Sequence, residues 1–236
     1  MIRRFIKFFL ILLALPLFGG LEEYYYKLSI KEQKIEFPKL INKMVQDANQ
    51  NTLRSREFAL NYLNLIYEKS FRDLNLSNLD RLFSIAKTYK IQKIFDPSEY
   101  ISKLDVIPVS LAIAQAAVES GWGKSRFAKE ANNLYGHWTW GGKGLVPLNR
   151  DENKTHKIKI FNSPNDAVDA YVLNLNSHPA YTKFRENRLK FHQNELIYTG
   201  LDAAKTMESY SAMGKIYVKQ LEKTIMLYDL TKFDRI

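Results

Sequence analysis

Glu119 is the residue of the sequence best placed to do acid–base chemistry. It lies at the end of the alanine-rich apolar stretch PVSLAIAQAAVES and is followed by a glycine and a tryptophan. Gln115 stands four residues earlier, so a helix would place both side chains on one face while apolar residues bury the other faces. We therefore expect Glu119 to open toward a cleft from the last turn of a buried helix.

The expected surroundings of Glu119 would keep its carboxyl group protonated. The unpaired carbonyls at a helix C-terminus carry partial negative charge, which disfavours a second negative charge nearby. Partial enclosure by Trp122 would act in the same direction, although Trp122 could instead pack the helix end. A carboxylic acid that stays neutral near pH 7 can protonate a departing sugar oxygen, as the glutamate of raised pKa does in lysozyme. The alternative interpretation is that Glu119 is an ordinary hydrated glutamate on the protein surface, without a catalytic role.

The wider string around Glu119 favours the catalytic interpretation. AQAAVESGWGKSRFAKEANNLYGHW resembles the signature of the bacterial glucosaminidase family, in which an alanine-glutamine-alanine helix precedes Glu-Ser-Gly-Trp-Gly and an Ala-Asn-Asn-Leu-aromatic-Gly stretch follows. Further on, GLVPLNRDE, FNSPNDAVDAYVLNLNSHPAY and YSAMGKIY are similar to the Bax-type subgroup of that family. The resemblance covers approximately residues 40 to 230.

The resemblance implies a fold, an activity and a second catalytic residue. The implied fold is mainly α (α+β), a lysozyme-like helical domain with a small β-hairpin lobe, preceded by N-terminal helices. The implied activity is cleavage of β-1,4 glycosidic bonds of peptidoglycan on the N-acetylglucosamine side, with Glu119 as general acid. Tyr210 occupies the place of an essential tyrosine that related enzymes carry in a Gly-Tyr-Ala-Thr-Asp-Pro stretch. A lytic transglycosylase with the same single glutamate and a non-catalytic wall-binding protein stay as alternatives.

The sequence departs from the family pattern at the second carboxylate. Many members carry a glutamate in a Thr-x-Glu pattern in the β-lobe, where this chain reads VPLNRDENK. Asp151 and Glu152 lie close by and are the candidates for a base or nucleophile. The alternative is a substrate-assisted reaction, in which the 2-acetamido oxygen of the sugar attacks the anomeric carbon. Tyr210 could then position that group or stabilise the developing positive charge.

Aromatic and amide side chains follow Glu119 closely and suit a sugar ligand. Sugars present apolar ring faces, on which aromatic rings stack, and hydroxyl edges, which amides bind through hydrogen bonds. The alternatives are that the aromatic rings belong to the core and that Asn133 fixes a turn. The predicted substrate-binding residues are Gln115, Asn132, Asn133, Tyr135, Trp138 and Trp140.

The first 20 residues have the layout of a secretory signal. Basic residues precede an apolar run from Phe8 to Phe18, which is shorter than the roughly 20 residues that cross a bilayer. Residues 1–20 are therefore expected to be a signal peptide or an N-terminal membrane anchor, and a membrane association through them stays open. We accordingly expect export to the periplasm or cell envelope.

The composition of the chain limits the classes of binding partner and ligand that it could have. The formal net charge is +10, which suits an anionic polymer, and export together with the absence of any nucleic-acid motif argues against nucleic acid. There is no cysteine, which excludes disulfides and thiolate metal sites. The four histidines lack the spacing of metal ligands, so we expect no metal and no cofactor. Peptidoglycan glycan strands are the expected partner, and the chain is expected to be a monomer.

The elements that must position these residues are mostly helices. Residues 21–100 show apolar residues at three-to-four spacing and predict a helical N-terminal region, whereas residues 101–236 predict the glucosaminidase domain. The helix that carries Glu119 should begin at Pro108 or Ser110 and end at Gly121. THKIKIF alternates like a strand, Ser163 should cap a helix that stops near His178, and a last helix should bury Ile216, Gln220, Leu221, Ile225 and Tyr228.

Overall fold

A computed structural model describes residues 20–147 and 155–234. It shows a mainly helical chain with one small antiparallel sheet, which confirms the predicted fold class. The strands are β1 (Trp138–Thr139), β2 (Gly144–Leu145) and β3 (Lys157–Lys159). The helices are α1 (Glu23–Lys27), α2 (Ile30–Glu68), α3 (Leu76–Thr88), α4 (Pro97–Lys103), α5 (Val109–Ser120), α6 (Arg126–Ala131), α7 (Pro164–Ser177), α8 (Thr182–Gln193), α9 (Gly200–Ala204) and α10 (Lys215–Leu227).

Helix α5 lies at the centre of the main core and carries Glu119 in its last turn. Every residue from 109 to 117 is buried, because this stretch is almost entirely apolar and is packed by α2, α9 and α10. The helix ends at Gly121, whose φ of 58° is the left-handed conformation that glycine adopts at little cost. The predicted limits of this helix are confirmed, and the buried helix holds the position of Glu119.

The start of α5 is fixed by a carboxylate from the C-terminal end of the described chain. Asp234 accepts hydrogen bonds from the backbone N–H of Ser110 at 2.8 Å and from its hydroxyl at 2.6 Å. Gly200 donates to the same carboxylate at 3.0 Å, and a Cβ on Gly200 would lie 2.0 Å from the Ser110 Oγ. An acid at a helix N-terminus satisfies free N–H groups and complements the helix dipole, so this contact anchors α5.

The N-terminal helices share the core of the remaining chain. Ser29 caps α2 by a capping box with Glu32, and the first half of α2 buries apolar side chains against α5. The second half of α2 packs on α3 and α4 in a separate apolar cluster. The buried apolar residues of the first half are Phe37, Ile41, Val45 and Ala48.

The sheet lobe is three-stranded and follows α6. Strand β3 lies in the middle of the order β1-β3-β2, with Trp138 opposite Ile158 and Gly144 opposite Lys159. The predicted strand in THKIKIF and the small β-lobe are confirmed: the consecutive strands β2 and β3 pair antiparallel, and β1 adds a third strand on the other side of β3. Strands of two residues show no alternation from which their pairing could be predicted.

Two later helices show how far side-chain patterns predict packing. Ser163 accepts a hydrogen bond from the Asp166 N–H at 3.1 Å and caps α7, which ends at Ser177 as expected. On α10, Leu221 and Ile225 are buried as expected, but Gln220 is exposed and Ile216 is 64% exposed, whereas Tyr217 is 2% exposed. The predicted burial of Ile216 is therefore wrong. The apolar face of α10 is wide enough for the helix to pack in two orientations, and in the structure Tyr217 faces inward.

Residues 1–19 lie outside the described chain, so the expected signal or anchor stays a prediction. Within residues 20–147 and 155–234, none of the helices combines the length and the apolar character that spanning a membrane requires.

Candidate functional site

Glu119 projects from the last turn of α5 into a group of tyrosines. Its side chain is half-buried, and burial raises its pKa above the ordinary 4.5, although the nearby Tyr217 hydroxyl acts in the opposite direction. Burial also raises the pKa of Tyr181 and Tyr210, and the Glu119 charge adds to both rises, so both rings lie near the carboxylate. The acid is thus accessible, and its neutral form is favoured.

A chain of buried polar groups leads from α7 to Glu119. The Tyr171 hydroxyl donates to Gln115 Oε1 at 2.7 Å, and Gln115 Nε2 donates to the Tyr217 hydroxyl oxygen at 3.0 Å. The Tyr217 hydroxyl in turn lies near Glu119 and acts to lower the pKa of its carboxyl group. Gln115, Tyr171 and Tyr217 are all at most 2% exposed. The substrate-binding role expected for Gln115 therefore does not fit, because both ends of its amide are occupied inside the core.

Tyr210 lies in the same group, as the sequence predicts. Its ring stacks parallel to Tyr217 at 5.7 Å between centroids and lies 6.0 Å from Tyr181. Its hydroxyl donates to the backbone carbonyl of Tyr135 at 3.0 Å. This contact joins the C-terminal part of the chain to the loop that precedes the sheet, directly beside Glu119.

A glycine turn lies against the carboxylate from the other side. A Cβ on Gly136 would be 3.4 Å from Glu119 Oε2, and the φ of Gly136 is 71°. Asn133 holds this turn: its amide donates to the carbonyls of His137 and Lys159, and its Oδ1 accepts from the His137 N–H. Asn133 is 2% exposed, so it fixes the turn and the alternative to sugar binding is the one observed.

Asn132 also has a structural part. It ends α6 in the left-handed conformation, with a φ of 54°. Its amide donates to the Phe161 carbonyl at 2.9 Å and accepts a hydrogen bond from the backbone N–H of Gly20. Because Asn132 is 6% exposed and its amide binds backbone on both sides, the expected contact with sugar hydroxyls does not fit this geometry.

The aromatic residues after α6 divide into one buried ring and two exposed rings. Tyr135 is 2% exposed and stacks on Tyr171 at 4.0 Å, so its predicted stacking on a sugar is wrong. Trp138 is 55% exposed and Trp140 is 71% exposed, with their centroids 6.2 Å apart. Trp138 follows Gly136 by two residues, which places its backbone within about 7 Å of the turn beside Glu119. The two exposed indoles therefore follow the glycine turn that lies against the acid.

Trp122 packs the end of α5. Its ring lies 5.6 Å from Phe37 and 4.5 Å from Tyr228, with the Lys34 ammonium 3.4 Å from its centroid. Burial by this contact lowers the pKa of Lys34 to about 8. The tyrosines near Glu119 are Tyr181, Tyr210 and Tyr217, of which the sequence singled out only Tyr210.

Asp151 and Glu152 lie outside the described residues, so their role as a second carboxylate stays a prediction. In the part of the chain that the structure describes, no group of three or more histidine, aspartate or glutamate side chains could hold a metal ion. His137 is enclosed beside Phe161, and burial lowers its pKa to about 4.

The raised pKa of Glu119 predicts a pH-dependent effect of Glu119→Gln on stability. The folded chain holds the Glu119 proton more tightly than the unfolded chain does. The contribution of this proton to the free energy of unfolding is therefore complete below pH 4.5, and it is lost as the pH rises through the raised pKa of Glu119. Thermal unfolding should therefore show Glu119→Gln gaining stability over the wild type between about pH 4 and about pH 8. An equal difference at both pH values would contradict the raised pKa.

Comparison with known proteins agrees with this site. The family model described as "Mannosyl-glycoprotein endo-beta-N-acetylglucosaminidase" matches residues 97–230, which include Glu119, the sheet lobe and Tyr210. The chain is 35% identical over 145 residues to "Protein bax" of Escherichia coli (strain K12), and the match covers 58% of this chain. It spans 50% of that relative, so the chain matches about half of the relative's length. No solved structure matched the chain. Because more than half of its residues lie inside the family model, the chain belongs to the glucosaminidase family.

Proposed function

We propose that the protein is a peptidoglycan hydrolase that cleaves β-1,4 glycosidic bonds on the N-acetylglucosamine side, with Glu119 as the general acid. Membership of the glucosaminidase family supports a glycoside hydrolase in general. The observation that carries the finer proposal is the half-buried Glu119, whose burial favours the neutral form and near which the Tyr181, Tyr210 and Tyr217 side chains lie.

Glu119 can supply the proton that the leaving sugar needs. Glycosidic oxygens are poor leaving groups until they are protonated, and a carboxylic acid with a raised pKa keeps its proton available close to neutral pH. Once the proton has moved, the nearby Tyr217 hydroxyl, which acts to lower the pKa of the Glu119 carboxyl group, stabilises the carboxylate that remains. This tyrosine therefore favours the product of the proton transfer over its starting state.

The second half of the reaction needs either another carboxylate or the substrate's own acetamido group. Glu119 is the carboxylate that the described residues place in the tyrosine group, and Asp151 and Glu152 stay the candidates for a second one. In the substrate-assisted alternative, Tyr210 positions the acetamido group or stabilises positive charge at the anomeric carbon. Asp151→Ala and Glu152→Ala, made separately, decide between the two, since a loss of several orders of magnitude in either variant refutes the substrate-assisted route.

Trp138 and Trp140 are proposed to bind the apolar faces of the glycan. Replacing either by alanine should raise KM or the dissociation constant for glycan by about two- to tenfold, with kcat little changed, because stacking contributes about 0.5–1.5 kcal/mol. Binding is measured by sedimentation of isolated sacculi in the Glu119→Gln background. Phe83→Ala is the matched control, because Phe83 is an exposed aromatic residue on α3. Equal binding by the tryptophan variants and this control would show that the indoles do not contact the strand.

We also propose that the protein acts outside the cytoplasm, where peptidoglycan lies. This part rests on residues 1–20 and on the net charge of +10, which attracts the anionic polymers of the cell wall.

Digestion of purified sacculi tests the activity. Residues 21–236 should release soluble fragments with a reducing N-acetylglucosamine end, and mass analysis should show the added water of hydrolysis. Anhydro-muramyl ends, lighter by one water, would make the protein a lytic transglycosylase. Sedimentation with sacculi but no release of fragments, unchanged by Glu119→Gln, would make it a wall-binding protein.

A further inference from the structure

Three consecutive residues after the helix that carries Glu119 have a left-handed backbone. The φ values of Gly121, Trp122 and Gly123 are 58°, 60° and 71°. Glycine adopts such values at little cost, whereas for a bulky residue such as tryptophan they are a genuine outlier. A strained conformation persists only where the surrounding structure holds it in place. The left-handed turn of residues 121–123 therefore depends on the contacts that fix it.

This left-handed turn is joined to the last turn of α5 by hydrogen bonds. The Trp122 N–H donates to the Ala117 carbonyl at 2.9 Å. The Gly123 N–H donates to the Ser120 hydroxyl oxygen at 2.7 Å. Glu119 lies between these two acceptors in the sequence. A shift of the left-handed turn would therefore move the stretch of helix that carries the acid.

The N-terminal residues of the described chain hold the other side of the left-handed turn. The Tyr25 hydroxyl on α1 donates to the Trp122 carbonyl at 2.8 Å, and the Tyr25 ring is fully buried. The neighbouring Tyr26 hydroxyl donates to the Gly123 carbonyl at 3.3 Å. A Cβ on Gly123 would lie 2.8 Å from Leu21 Cδ1, so this segment packs directly against the turn. Helix α1 thus supplies the contacts that the strained backbone needs.

We propose that Tyr25 is a positioning residue for Glu119, because through the Trp122 carbonyl it fixes the left-handed turn that ends the helix carrying the acid. This inference rests on the proposed function, since it names a further residue on which the same acid depends. Tyr25 lies outside residues 97–230, which the family model matches. The N-terminal region therefore contributes to the site, although the buried Tyr25 acts through the turn and does not contact substrate.

Tyr25→Phe removes the hydroxyl, keeps the ring and leaves the Trp122 carbonyl without this donor. On a chitooligosaccharide whose leaving group is a sugar, kcat should fall by about two- to tenfold with KM little changed, the effect expected when a buried acceptor loses its partner. Tyr100→Phe is the matched control. The Tyr100 ring is also fully buried and its hydroxyl donates to the Ile94 carbonyl, likewise at 2.8 Å, but it lies in the second apolar cluster. Equal kcat in the two variants would overturn the proposal.

The leaving group separates positioning of the acid from general damage to the fold. A dinitrophenolate leaving group departs without being protonated, so its release does not need a well-placed acid. Tyr25→Phe should therefore cleave a dinitrophenyl chitooligosaccharide at close to the wild-type rate. A loss of the same size on both substrates would show that Tyr25 only supports the fold.

A titration that needs no activity keeps this inference distinguishable from the proposed function. The Glu119 carboxyl carbon, labelled with ¹³C and assigned by its disappearance in Glu119→Gln, reports the pKa of this group directly. Because burial raises that pKa, a less firmly held and more hydrated Glu119 should have a lower pKa in Tyr25→Phe and an unchanged one in Tyr100→Phe. This pattern without any cleavage by the wild type would support the positioning and refute the enzyme. Cleavage by the wild type with an unchanged pKa in Tyr25→Phe would refute the positioning alone.

Discussion

Glu119→Gln is expected to lower the cleavage of sacculi by roughly 10²–10⁴-fold, the contribution typical of a positioned general acid. The amide keeps the size of the carboxyl group, but it has no proton of suitable acidity to give. The folded structure should therefore survive while the chemistry is lost. The rate of release of soluble fragments measures the effect.

Glu130→Gln is the matched control for this variant. Glu130 is a second glutamate of the same signature string, and its side chain is 52% exposed and paired with Arg126 across one helical turn. Exposed pairs of this kind contribute little, so this variant should cleave as the wild type does. If Glu130→Gln lost as much activity as Glu119→Gln, or if Glu119→Gln kept full activity, the assignment of the acid would be wrong.

Arg188→Met is expected to lower the free energy of unfolding by about 3–5 kcal/mol, the cost typical of breaking a buried ion pair. Arg188 on α8 is 1% exposed, its Nε lies 3.6 Å from Asp105 Oδ2, and its guanidinium donates to the carbonyls of Ser102 and Val106 and to Asn176. Methionine fills the volume but removes the donor to the Ser102, Val106 and Asn176 oxygens and one partner of Asp105, which keeps Arg56 at 3.2 Å. Urea unfolding measures the change.

The position of Arg188 explains why this loss also matters for the site. Asp105 and Val106 lie between α4 and α5, and Ser102 lies in the last turn of α4, so the guanidinium holds the chain that leads into the helix carrying Glu119. Lys183→Met, an exposed change on the same helix, is the control and should alter stability by less than about 0.5 kcal/mol. A similar small change for Arg188→Met would show that its hydrogen bonds contribute little.

The helix that carries the acid could be predicted because every signal agreed. Apolar residues without interruption, a proline before the first turn and a glycine after the last one all predict a buried helix from Val109 to Ser120, and the structure has that helix. Glu119 and Tyr210 could also be predicted to lie in one site, because the family resemblance includes both residues. In the structure, helical packing brings the segments that carry them together.

The residues around the acid could not be predicted, because their roles depend on contacts distant in sequence. Gln115 has the right spacing for a shared face with Glu119, yet its partners come from α7 and α10, more than 50 residues away. The amides of Asn132 and Asn133 are likewise used by the Phe161 and Lys159 carbonyls. Side-chain type alone does not distinguish an amide that binds sugar from one that binds backbone.

Tyr217 shows the same limit within a single helix. A helical pattern of apolar residues defines a face only to within about one residue, because neighbouring positions differ by 100°. Either Ile216 or Tyr217 could therefore lie on the inward face of α10. The tyrosine is favoured there, because its hydroxyl accepts a hydrogen bond from Gln115 inside the core.

The most direct test of the account is the leaving-group dependence of Glu119→Gln. On a chitooligosaccharide whose leaving group is a sugar, the variant should show the full loss. On the same chitooligosaccharide with a dinitrophenolate leaving group, which departs without being protonated, Glu119→Gln should retain most of the wild-type rate, because the acid is no longer needed. Equal losses on both substrates would contradict the claim that Glu119 delivers the proton.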